Sequence, residues 1–94
     1  MIIYTIDLFD KQTEDLILEV NIPKENLVPI SKIMGWDEED KMDFINGVAV
    51  FNVNKVQATS LGILFETIFD TDNYIIQMSA GEDNDRGLSL SMLW

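Results

Sequence analysis

Residues 2–22 read Ile2-Ile3-Tyr4-Thr5-Ile6-Asp7-Leu8-Phe9-Asp10-Lys11-Gln12-Thr13-Glu14-Asp15-Leu16-Ile17-Leu18-Glu19-Val20-Asn21-Ile22. In the first part Ile2, Tyr4, Ile6 and Leu8 alternate with Ile3, Thr5, Asp7 and Phe9, which is the period of a half-buried strand. Residues 16–22 repeat the pattern, with Leu16, Leu18, Val20 and Ile22 set against Ile17, Glu19 and Asn21. Between them lies the polar stretch Asp10 to Asp15. Two alternating runs joined by a short polar turn predict an antiparallel hairpin, and the rest of the chain is read outward from it.

Pro23 ends the second strand, since proline has no N–H for a ladder. A helix is expected over Asn26 to Met34, with Asn26 as its N-cap, Pro29 in the first turn and Gly35 as a left-handed stop. Trp36 to Asp43 then reads as an acidic connection, Asn46-Gly47 as a turn and Val48 to Val53 as a strand. Asn54 and Gln57 stand three apart, the spacing of a capping box, and open a second helix. Val56, Ser60, Ile63, Leu64 and Ile68 mark its inward face, widened by Leu61 and Phe65. Gly62 lies inside that helix, where close packing against the sheet would account for it.

Asp70 to Asn73 is a loop, and Tyr74, Ile76, Met78 and Ala80 alternate with Ile75, Gln77 and Ser79 as a strand. A further polar loop leads to Leu88, Leu90, Met92 and Trp94, which alternate with Ser89 and Ser91 as a last strand. The order ββαβαββ predicts an α+β fold: a single, largely antiparallel sheet of about four to five strands with two helices packed on one face.

The totals set the class. Ninety-four residues are enough for one domain, 1–94, with one core. Hydrophobic residues make up 47% of the chain, so a folded and not a disordered chain is expected. Cysteine is absent, so disulfides and thiolate chemistry are excluded, in keeping with a reducing compartment. The N-terminal residues have no signal-peptide pattern and no apolar run reaches membrane-span length, so the expected location is cytoplasmic.

Charge narrows the partners. Seventeen acidic side chains against six basic ones leave a formal net charge of −11. Such a chain repels nucleic acid and anionic membranes, whose binding needs Lys and Arg on phosphate, and attracts basic proteins. Catalysis is not expected. Histidine is missing along with cysteine, no G-x-S-x-G elbow is present, and no glycine-rich loop precedes a helix. Paired carboxylates run glycosidases, but such sites need a cleft deeper than a chain of this length walls off. An EF-hand fails as well, because position six counted from Asp70 is Ile75 and from Asp83 is Leu88, where glycine is required. No metal and no cofactor are therefore expected.

The candidate binding residues are Trp36, Asp37, Glu38, Glu39, Asp40 and Asp43, an aromatic anchor flanked by carboxylates. Glu82, Asp83 and Asp85 form a second acidic group. The competing reading of Trp36 is a core residue that follows the first helix.

The segment Asp7-Leu8-Phe9-Asp10-Lys11-Gln12-Thr13-Glu14-Asp15-Leu16, followed by Met34-Gly35 and then Asn46-Gly47-Val48-Ala49-Val50-Phe51-Asn52-Val53, resembles the cloacin-type immunity proteins. These are small acidic inhibitors of ribosome-cleaving colicins, and the resemblance spans roughly residues 3–53. It implies an immunity protein, of a bacteriocin or a contact-dependent growth inhibition system, that occupies a basic toxin domain stoichiometrically. A nuclease is the toxin it implies, because a nuclease must be cationic to hold its substrate. From charge alone, the alternative is an adaptor or regulatory domain that binds another basic protein.

Overall fold

A computed structural model of the chain describes residues 2–82. The predicted hairpin is its foundation: β1 (Ile2–Asp10) pairs antiparallel with β2 (Leu16–Asn21). At the turn the Asp10 carboxylate accepts from the backbone N–H groups of Gln12 (2.8 Å) and Thr13 (3.0 Å). Asp10 thus closes the turn with its own side chain. Glu14, next to the start of β2, is held in the left-handed region at φ 62°.

After a 3-10 turn at Lys24–Asn26 come α1 (Leu27–Met34), α2 (Glu38–Ile45), β3 (Val50–Asn52), α3 (Lys55–Phe65) and β4 (Tyr74–Glu82). The four strands form one antiparallel sheet in the order β2-β1-β4-β3. β4 is paired along the whole of β1, from Ile2 opposite Glu82 to Asp10 opposite Tyr74. The last described strand therefore sits inside the sheet, between β1 and β3. Tyr4, Ile6 and Leu8 of β1 and Ile76 and Met78 of β4 form one side of the core. Ile30 of α1, Phe44 of α2, and Ala58 and Leu61 of α3 pack against it, and Ile22, Val53 and Phe69 from the connections complete it. The expected α+β class and the single antiparallel sheet hold, with three α-helices among the described residues instead of two. The strand expected at Leu88 to Trp94 lies outside the described residues.

Several local expectations are corrected. The acidic connection at Trp36 to Asp43 is largely helix: α2 begins at Glu38, with Asp37 as its N-cap. Asn26 makes no side-chain cap, because the preceding 3-10 turn already brings the backbone into the right-handed region there. Gly35 does stop α1, at φ 68°. The strand expected over Val48 to Val53 is limited to Val50–Asn52, since the Val48 N–H bonds back to the Asp43 carbonyl and closes the end of α2.

The α3 capping box forms in full, with Gln57 N–H on Asn54 (2.8 Å) and Asn54 N–H on Gln57 (2.9 Å). Its inward face is only partly the expected one: Leu61, Leu64 and Phe65 do pack on the core, but three of the other expected residues do not. Val56 and Ile63 are each 77% exposed and Ile68, beyond the helix end, 88%, whereas Ala58 and Leu61 are buried. Apolar side chains stand on more than one side of α3, so periodicity alone does not choose which is buried; small Ala58 allows the close approach. Gly62 packs against its own chain and not against the sheet. A Cβ there would lie 2.6 Å from the Thr67 carbonyl oxygen, because the chain reverses at left-handed Glu66 and the Thr67 N–H returns to Gly62.

Candidate acidic binding surface

The carboxylates of α2 are positioned by three features of the sequence. Asp37 accepts from the Asp40 N–H (2.8 Å), which satisfies one of the helix's unpaired N-terminal donors. Glu38, Glu39 and Asp40 fill the first turn, where the positive end of the helix dipole favours them. At the other end Tyr4 donates its hydroxyl to the Ile45 carbonyl (2.7 Å) and ties α2 to the central strand. Burial pushes the Tyr4 phenol pKa up, so it keeps its proton and its role as a donor.

Beneath α2 lies an aromatic seam. Phe44 is fully buried, and its ring centroid is 5.2 Å from Tyr4 and 4.7 Å from Trp36. Trp36 also packs on Phe51 at 4.8 Å. Each pair is tilted, an arrangement aromatic quadrupoles favour. Trp36 is half-buried, and its Nε1 is enclosed without a hydrogen-bond acceptor. The indole thus serves the packing beneath the helix, and the outward surface is made by carboxylates: Asp37, Glu38, Glu39 and Asp43 are exposed, and Asp40 is half-buried.

Of the second group only Glu82 falls among the described residues, and it is set apart from the acidic first turn. Glu82 ends β4 opposite Ile2, and a Cβ on Gly47 would stand 3.3 Å from the Ile2 side chain. Glu82 therefore lies towards the C-terminal end of α2, about 12 Å of helix away from the acidic first turn. Asp83 and Asp85 lie outside the described residues.

An acidic pole that linear reading missed is formed by tertiary structure. The β1–β2 turn carries Asp10, Glu14 and Asp15, and Asp10 stands opposite Tyr74 in the sheet. This brings the Asp70 to Asn73 turn alongside, where Asp70 accepts from the Asn73 side chain (2.7 Å) and the Asp72 N–H (2.9 Å). Those bonds, with Lys11 nearby, hold the Asp70 carboxyl below its usual pKa range. The Thr13 and Gln12 N–H groups do the same for Asp10. The signal available in the sequence was the pair of Asp-led polar turns, but nothing in it brings residue 10 beside residue 70.

On the sheet face away from the helices, Thr5 and Asp7 are buried, where strand alternation had placed them outward. Ser79 donates to Asp7 Oδ2 at 2.6 Å and its hydroxyl lies 3.0 Å from that of Thr5. Asp7 Oδ1 is enclosed without a donor. Among the described residues no group of histidine, cysteine or carboxylate side chains could hold a metal ion. None of the described helices is long and apolar enough to cross a membrane.

A family model described as a domain of unknown function, DUF7683, matches residues 3–79, from β1 into β4. No curated protein and no solved structure matches the chain.

Proposed function

We propose that this chain, which belongs to the DUF7683 family, is a cytoplasmic immunity protein that neutralises a basic bacterial toxin by stoichiometric binding. The observation that carries the reading is the α2 ridge, where Asp37, Glu38, Glu39, Asp40 and Asp43 follow one another on a short helix fixed at both ends. Such a ridge presents carboxylates without reorganisation, and preorganisation lowers the entropic cost of binding. The formal net charge of −11 steers a cationic partner towards it and speeds encounter. A nuclease domain fits best, since carboxylates on a rigid helix imitate the phosphates that its cleft binds. The resemblance of residues 3–53 to cloacin-type immunity proteins supports the same class.

The test is co-expression with the product of the gene directly upstream, scored for growth and for co-purification. Toxicity of that product alone, rescue by this chain and a stable complex are the expected results. A non-toxic neighbour that forms no complex would overturn the immunity reading and leave an acidic adaptor domain.

A further inference from the structure

We infer that the outer edge of β2 is a second docking surface, which takes an extended, basic segment of a partner protein as an added strand. The two borders of the sheet differ. β3 is three residues long, and a short edge offers little template for pairing. β2 is six residues long, and among the described residues no strand pairs with its outer side. It contains no proline and no lysine, two of the residues that block edge pairing.

Its side chains suit a partner on both faces of the sheet. Leu18 stands opposite core-facing Leu8, and Leu16 opposite Phe9 on the other face. The register shift between these pairs makes Ile17 the extra, bulged residue. Leu16, Ile17 and Leu18 are 48%, 55% and 51% exposed, three consecutive large apolar residues at a sheet border. A strand laid along 18–21, past the bulge, would meet the outward N–H and C=O groups of a stretch that includes acidic Glu19, and its continuation would cover the apolar side chains at 16–18.

Charge selects which strand. β2 starts at the acidic pole, directly after exposed Glu14 and Asp15 and beside the turn that carries Asp70 and Asp72. Lys11 is the one basic residue in either turn. A segment that alternates apolar with Lys or Arg residues meets the leucines and these carboxylates together, whereas an acidic segment is repelled. A second copy of the chain carries the same −11 and is disfavoured for that reason.

The test uses the full chain, labelled with 15N, and a capped seven-residue peptide alternating lysine and valine. Amide shifts and slowed exchange confined to 16–21 are expected, and an alternating glutamate–valine peptide should produce neither. Ile17→Lys should weaken binding roughly tenfold with an otherwise unchanged spectrum, and Ile17→Thr should weaken it less. The inference is overturned if the shifts map to α2, or if both peptides bind equally. Concentration-dependent shifts at 16–21 without peptide would assign the edge to a second copy instead. Binding only after truncation at Glu82 would assign it to residues 83–94. The α2 reversal E38K/E39K/D40K separates the two surfaces: it should leave peptide binding at the edge in place even if it abolishes toxin neutralisation.

Discussion

α2 and α3 are built on opposite plans. α2 is the polar helix: four of its eight residues are acidic, and it buries one side chain, Phe44. α3 is the apolar helix, yet it leaves Val56 and Ile63 largely in solvent and buries Ala58 and Leu61. Both start at a side-chain cap, Asp37 in one and Asn54 in the other. Average hydrophobicity therefore does not say how firmly a helix is held. One aromatic side chain that meets Tyr4, Trp36 and Phe51 secures α2. α3 is secured by a small residue that permits close approach and by a glycine that admits the chain's return.

The contrast is tested most severely at Phe44. Phe44→Ala should cost about 3–5 kcal/mol in urea unfolding, the range for a buried aromatic truncated to alanine, and should release α2 from the sheet. A cost near that of a surface change would mean that the helix is held by something else. Gly62→Ala is the counterpart in α3. It places a Cβ within 2.6 Å of a backbone oxygen, and should destabilise by about 1–3 kcal/mol although alanine is the better helix former. A neutral or stabilising outcome would show that the turn at Glu66 and Thr67 relaxes freely.

Smaller effects sharpen the comparison. Asp37→Ala removes the cap of α2 and should cost about 1 kcal/mol, with frayed amides at Glu38 to Asp40 in the NMR spectrum. Ile63→Ser should change stability by less than about 0.5 kcal/mol, because the side chain is 77% exposed. A loss of several kcal/mol there would restore the inward face that helical periodicity had suggested.

These helices also mark where the sequence was legible. The hairpin, the α3 capping box, the Gly35 stop and the β4 strand follow from local patterns, because each depends on residues a few positions apart. α2 carried a local signal too. Asp37 stands three before Asp40, and Lys41, Phe44 and Ile45 recur at helical spacing, but the run of carboxylates masked it as a solvated connection. The buried side of α3 was half legible: Leu61, Leu64 and Phe65 pack inward as expected, whereas Val56 and Ile63 face solvent, because a helix with apolar residues on several sides needs its neighbours to choose a face. The insertion of β4 between β1 and β3, and with it the acidic pole at Asp10 and Asp70, depends on pairing between distant residues. The α2 carboxylates were legible as candidates and so was Trp36 as a core residue after the first helix, but the placement of the carboxylates on a fixed helix above it came only with tertiary structure.

The central claim is that the first turn of α2 is the surface that captures a basic partner. Its most direct test is the affinity of the co-purified upstream product for the wild-type chain and for E38K/E39K/D40K, measured at matched salt with the variant's fold verified. The account predicts a loss of at least about a hundredfold, or ~2.8 kcal/mol at ~1.4 kcal/mol per factor of ten, together with lost protection of growth. Unchanged affinity in a folded variant would contradict it and remove α2 from the binding surface.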